Sequence, residues 1–268
     1  ASFESALALQ PFRAIVFDYA GTLCSSQRKD SPPSGPIVER LMRLLDAGIV
    51  VGVASGRGDS IQGHLRDVLP REAWSKVHLG LYNGGWIGLL DGEIDKGVVT
   101  NEFLSHVRRI LGRLESLGVP IERVRETYPH QISVRFKEGA NAENMWFVIA
   151  DSLRQAGLDP STVVRSKHSV DVLAANVNKS HLVANMIQAR GIDPYEIVTM
   201  GDQGAWPGND ASLLEHRFSL SVDQPSRRLE RGWKLAPHHK RDVDATLWYL
   251  DHAEIDPLAG SFRFELGT

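Results

Sequence analysis

Short runs of consecutive apolar residues alternate along this chain with segments in which apolar positions recur every three or four residues. Residues 12–17 (FRAIVF) are such a run, stopping at Asp18 with Gly21 close behind, which predicts a buried strand followed by a turn. Residues 24–36 are rich in Ser and Pro and predict a loop. Over 37–47, Ile37, Leu41, Leu44 and Leu45 share one helical face that ends at Gly48, and 49–54 (IVVGVA) is a second buried strand. Strand, helix and strand in this order predict a right-handed crossover and a parallel sheet. A helix at about 60–69 and a strand at 77–82 extend the pattern to Asn83-Gly84-Gly85.

The rhythm changes at Trp86. Residues 86–90 with the turn Asp91-Gly92 predict a hairpin, 102–117 an amphipathic helix closed by Gly118, and 131–136 a half-exposed strand. A second helix is predicted over 142–156, and 163–173 alternates again. Two helices with alternating strands describe a small α+β unit whose sheet has one solvated face. From Lys179 the first rhythm returns, with a helix at 180–189, a strand at 197–200 running into Gly201-Asp202, then a strand at 219–222 and a closing helix at 245–250. Residues 1–9 and the tail after Asp256 are expected to be peripheral.

The 268 residues fall between one large domain and two modest ones, and 42% hydrophobic with 24% charged residues is the composition of a soluble globular protein. A net charge of −3 gives no electrostatic footprint for nucleic acid or an anionic membrane, and runs such as 49–54 are too short to span a bilayer. The absence of a basic-then-apolar leader gives the expectation of a cytoplasmic protein. The single cysteine, Cys24, excludes an internal disulfide framework and a cysteine-rich zinc site.

Three apolar strands end in reactive residues: Asp18-Tyr19-Ala20-Gly21-Thr22, Ser55-Gly56-Arg57, and Gly201-Asp202. In an open parallel α/β sheet, ligands bind beyond the carboxyl ends of the strands. Asp18 and Asp202 offer hard carboxylate oxygens suited to Mg²⁺. Ser55 and nearby amides suit phosphate oxygens, and Lys179 supplies neutralising charge.

Asp18-x-x-Gly21-Thr22-Leu23, Ser55-Gly56-Arg57, Lys179, and Gly201-Asp202 with Asn209-Asp210 together resemble the four ordered motifs of the haloacid dehalogenase (HAD) superfamily of phosphohydrolases. Only 36 residues (19–54) separate the first two motifs, whereas 123 (56–178) precede Lys179, so the inserted unit resembles a type-2 cap of the Cof-like and sugar-phosphate phosphatase branch. The fold expected is a Rossmann-like doubly wound parallel sheet core with an inserted α+β cap. Residues 10–85 and 175–256 would form a discontinuous core and 86–174 the cap, with hinges at Asn83-Gly84-Gly85 and 174–178.

The resemblance implies a phosphoric monoester hydrolase acting on a small phosphorylated metabolite, a sugar phosphate among the candidates. It implies Asp18 as the nucleophile that becomes an aspartyl-phosphate, Mg²⁺ held by Asp18, the Ala20 carbonyl and Asp202, and Asp210 as a direct or supporting metal group beside Asn209. Thr22 and Ser55, with Gly56 and Arg57 alongside, would hold the phosphoryl group, and Lys179 would stabilise both it and the nucleophile. The chain departs from the pattern at Ala20, where the family has an Asp that protonates the leaving group and activates water. Loss of such a group costs about 10²–10⁴ in rate. Three readings stand: an engineered Asp→Ala substitution, in keeping with a chain that starts at Ala1; a natural variant that turns over slowly or only binds; and a phosphonoacetaldehyde hydrolase, for whose cap 24–36 is too short. The fourth motif departs as well, since 203–208 lengthen the gap before Asn209-Asp210 into a Gly- and Pro-containing loop expected to fold over the site.

In the cap, His130, Arg165, Lys167 and His168 lie near strand ends, where they either meet substrate or belong to a solvated face. His238-His239-Lys240-Arg241 reads as an exposed loop, Cys24 as a small apolar residue, and Trp206 and Trp233 as either core or lid. A binding or regulatory module that keeps the phosphate pocket without turnover is the rival reading.

Overall fold

The computed structural model describes residues 3–28, 30–95 and 99–266. Its first half runs α1 (Phe3–Leu9), β1 (Ala14–Asp18), α2 (Gly35–Asp46), β2 (Val50–Ala54), α3 (Asp59–Val68), β3 (Val77–Leu81) and β4 (Trp86–Leu89). Next come α4 (Glu102–Ser116), β5 (Ile121–Thr127), β6 (Gln131–Phe136), α5 (Ala142–Gln155), β7 (Val163–Arg165) and β8 (Ser169–Leu173). The chain closes with α6 (Ser180–Arg190), β9 (Ile197–Gln203), β10 (Ser219–Gln224), α7 (Val243–Asp251), β11 (Ala253–Asp256) and β12 (Ser261–Phe264).

The large sheet has the order β10-β9-β1-β2-β3-β4, parallel throughout except for β4. Alternate residues of β1 serve its two faces. Ile15 and Phe17 join Ile37, Leu41 and Leu44 of α2, while Ala14 and Val16 join Leu182 and Met186 of α6. Helix α6 lies flush on the sheet because Gly52 and Gly80 carry no side chain, and a Cβ there would come within 2.6 Å of Met186 Sδ and 2.9 Å of Leu182 Cβ. That close approach fixes where the residue preceding the helix, Lys179, comes to lie. The chain order reverses direction between β1 and β9, the switch point at which doubly wound sheets open a crevice.

A second sheet, antiparallel in the order β5-β6-β8-β7, packs one face on α4 and α5 through Leu104, Val107, Ile132, Val134, Ile149 and Val172, which form an apolar cluster of their own. Its other face is polar, as expected for the cap. No helix among the described residues is long and apolar enough to cross a membrane.

Several segments differ from the sequence reading. The hairpin expected to open the cap at Trp86 is not part of it: Trp86–Leu89 pairs antiparallel with β3 as the edge of the large sheet. Its outer end is tied down by Gln62 and Arg66 of α3, which donate to the carbonyls of Leu90 and Gly92. A cap that begins at residue 86 therefore takes in the edge strand of the core sheet. The stretch 163–173 is a hairpin of two strands, and β5 lies in a stretch assigned to no element. The termini are not peripheral either. Leu7 is fully buried, Phe262 and Phe264 are 1% exposed, and Phe12 and Phe262 exchange two backbone hydrogen bonds of 2.8 Å.

Candidate active site

Asp18 is the last residue of β1, and the chain turns immediately beyond it, the Tyr19 carbonyl accepting from the amides of Thr22, Leu23 and Cys24. Gly21 in this turn has φ +88°, and a Cβ on it would collide with the Asp202 carboxylate, so only glycine lets the loop lie against β9. Thr22 Oγ1 donates to Asp18 Oδ2 at 3.3 Å, and the Thr22 carbonyl is held by the Thr246 hydroxyl of α7 at 2.7 Å.

Lys179 Nζ donates to Asp18 Oδ1 at 2.5 Å and to Asp210 Oδ1 at 2.6 Å, in a site where the lysine is 1% exposed. Asp210 Oδ2 accepts the amides of Asp202 and Gln203 at 2.9 and 3.0 Å. With both lone pairs of Oδ2 taken and one of Oδ1, Asp210 has one lone pair left for a metal. One carboxylate oxygen from each of Asp18, Asp202 and Asp210 lies within 4.8 Å of the others.

Burial pushes the Asp18 carboxyl up to about 7, helped by the Asp210 charge and opposed by Lys179. Asp202 is raised for the same reasons, burial first and then the charges of Asp210 and Asp18. Burial works to raise Asp210 too, but the Lys179 ammonium and the two amides hold it below the usual carboxylate range. Burial works to lower Lys179, and its two carboxylates more than reverse that. Asp18, Asp202, Asp210 and Asp223 outnumber the two lysines among them, Lys179 and Lys167, and a divalent cation would neutralise the excess, for which hard oxygen donors suit Mg²⁺.

At the end of β2, the Ser55 amide donates to Gly80 and its carbonyl accepts from Asn83, which leaves its hydroxyl accepting from the Arg57 amide at 3.1 Å and free to donate. The Gly56 carbonyl accepts from Gln131 Nε2 of the cap at 2.8 Å, and Gln131 Oε1 accepts from Asn83 Nδ2 at 2.8 Å. Asn83 also reaches Asp171 of β8 at 3.3 Å. The Arg57 guanidinium pairs with Asp30 at 3.0 Å.

Part of this site opens into a cavity of about 390 Å³ between the core strand ends and the polar face of the cap sheet, with Thr22, Lys179 and Asp210 buried behind its lining. Asp18, Ala20, Ser55, Gly56, Arg57 and Asp202 form its floor. Of the four cap residues singled out from sequence, Lys167 and His168 line it. Lys167 Nζ stands 3.0 Å from Asp202 and 2.8 Å from Asp223, and His168 meets the Ser26 carbonyl at 3.0 Å. His130 instead stacks on Tyr82, rings 5.5 Å apart, and Arg165 joins its backbone to Pro207 and Asn209. The lengthened loop of the fourth motif thus clamps the cap's edge strand β7 rather than folding over the site. Cys24 is buried with its thiol on the Arg28 and Ser31 carbonyls, Trp233 packs on Phe3, and Trp206 is 46% exposed.

Sequence reasoning missed Arg123, Arg125, Gln131, Ser133, Arg135 and Asp171, all of which line the cavity from the cap sheet. Their signal was alternation, clean in β6 through Gln131, Ser133 and Arg135, shorter in β8 through Ser169 and Asp171, and in β5 confined to residues 123–127 beyond its register shift.

The sequence model of the sucrose-6F-phosphate phosphohydrolase family matches residues 99–236, just over half of the chain. The chain belongs to this family. Among solved structures, a HAD subclass IIB sugar phosphatase is similar over 84% of this chain and 94% of its own, with 19% identity and a TM-score of 0.61. A member of a phosphoryl-transfer superfamily, solved to show a trigonal-bipyramidal intermediate, matches 90% of this chain and 98% of its own at 20% identity and TM-score 0.63. An IMP-nucleotidase of Plasmodium falciparum with IMP bound matches 83% of this chain and 67% of its own at 11% identity and TM-score 0.60. At these identities the structural likeness shows the HAD phosphatase fold. No curated protein sequence matches the chain.

Proposed function

We propose that the protein is a Mg²⁺-dependent phosphatase that hydrolyses the phosphomonoester of a small polar metabolite, a sugar phosphate by family, through an aspartyl-phosphate on Asp18. The observation that carries this is a buried carboxylate at a strand end, gripped by Thr22 and Lys179 and opening into a cavity roofed by the cap. One oxygen of Asp18 attacks phosphorus, the P–O bond to the metabolite breaks, and with Ala20 in place the leaving oxygen takes its proton from water. Water then attacks the aspartyl-phosphate and releases phosphate and free Asp18. Lys179 holds the carboxylate and offsets charge on the phosphoryl oxygens, while the Ser55 hydroxyl and neighbouring amides donate to them. Asp18, the Ala20 carbonyl and Asp202 would hold Mg²⁺, with Asp210 in support, and the ion would supply charge neutralisation and a template for the phosphoryl group. In this reading residues up to about 95 and from about 175 form the catalytic core, and the cap selects substrate by closing over it.

The methyl side chain of Ala20 can neither donate nor accept a proton, and this favours a second reading, a protein that binds its phosphometabolite and turns it over slowly or not at all. Ala20→Asp is expected to raise phosphate release in Mg²⁺ by about 10²–10⁴-fold, measured over a panel of phosphometabolites, with Asp18→Asn abolishing it. Absence of release from every member by Ala20→Asp would overturn the enzyme reading and leave binding.

A further inference from the structure

The cap face above the cavity is more basic than one phosphoryl group requires. Arg123 and Arg125 of β5 and Arg135 of β6 all line it. Arg123 and Arg135 are direct cross-strand partners, a placement in which like charges repel. Nor is this the undirected charge of a solvated edge strand. Ile121 and Val124 of the same strand pack into the cap's apolar cluster, and Glu126 pairs with Arg108 of α4 at 3.0 Å. The register shifts between Ile121 and Arg123, and this irregularity lets the first face the cap interior while the second faces the cavity.

The other basic side chains at the site are each paired with carboxylates. Arg57 has Asp30, Lys167 has Asp202 and Asp223, and Lys179 has Asp18 and Asp210. Among the described residues no carboxylate forms an ion pair with Arg123, Arg125 or Arg135. Strand β7 is the edge bridged to the core at Gly208, and β5 is the opposite edge, three strand spacings or about 14 Å away. Arg123 and Arg125 thus line the cavity from the side opposite Lys167 and Asp202.

We infer that the cavity takes a phosphorylated small molecule carrying a second anionic group, phosphate or carboxylate, which Arg123, Arg125 and Arg135 bind while the first phosphoryl group lies at Asp18. The placement of that first group rests on the phosphatase reading. Guanidinium forks match both anions in bidentate fashion, and about 390 Å³ leaves space for a carbon skeleton between the two charges.

Calorimetric titration of the chain with Ala20 in place, in Mg²⁺, tests this without requiring turnover. Two matched pairs serve as probes: fructose 6-phosphate against fructose 1,6-bisphosphate, and glucose 6-phosphate against 6-phosphogluconate. The doubly anionic member of at least one pair is expected to bind at least tenfold more tightly, and the pair that responds distinguishes phosphate from carboxylate. R123A/R125A should bring that ratio to within threefold of one. Both side chains are exposed, and an unchanged melting temperature checks that the variant folds. If monophosphates bind and the second anion adds less than threefold in both pairs, or if the preference survives in R123A/R125A, the inference fails and the phosphatase reading stands. If no probe and no orthophosphate binds, both fail.

Discussion

His78 shows at the scale of one residue how burial beside a cation moves a titration. It sits on β3 at 4% exposure, and its Nε2 accepts from Arg190 Nε at 2.9 Å, a bond only the neutral ring can make. Burial, with the Arg190 charge, lowers its pKa to about 4. Between pH 6.5 and 4 the unfolded chain binds this proton and the folded chain does not, so stability falls as pH falls through that window. Taking pH 7 to 5, His78 alone is expected to cost ~2 kcal/mol. Thermal unfolding across this range should show the loss, and His78→Gln should flatten it. His130 and His216, lowered chiefly by burial, act in the same direction. Asp18, Lys179 and Asp202 could be picked out from the sequence because each adjoins an apolar run or a helix start, and Asp210 from its place after them in a fixed order. Gln131 and Asp171 show in the sequence only as polar positions on a strand face, and that they and Asn83 bridge two sheets is set by their partners and not by their neighbours in sequence.

Among the elements, α2, α4 and α5 were legible because their apolar stripes are clean, and β1, β2 and β3 because buried parallel strands read as apolar runs. Strand β5 was not, since its outward residues are charged and its register irregularity breaks the alternation. The C-terminal hairpin was misjudged for another reason: β12 is only four residues long, and its weight lies in Phe262 and Phe264, whose rings close on Phe12 and Tyr249. Phe262→Ala is accordingly expected to cost about 3–5 kcal/mol, read from the midpoint of urea unfolding. If the loss were below about 1 kcal/mol, the hairpin would indeed be peripheral.

Over the whole molecule, the site draws on residues from Asp18 to Asp210, and the repulsion within its carboxylate cluster is a property of none of them singly. Mg²⁺ that binds only the folded cluster should raise the melting temperature. At ten times its Kd the gain is about 1.4 kcal/mol, or roughly 3–6 °C for a chain of this size. Calorimetric scans with Mg²⁺ and with EDTA measure it, and Asp202→Asn should remove most of the shift; no shift in the unsubstituted chain would count against the metal site. The sequence by itself determined the α/β core, the presence of an inserted unit and the order of the reactive strand ends, because hydrophobic periodicity and motif spacing are local quantities. Tertiary structure alone decided that β4 belongs to the core sheet, that the fourth-motif loop holds the cap edge, and that three arginines face the carboxylates across one cavity. Those facts depend on which distant strands pair and which sheet faces meet, and no window of the chain contains both partners.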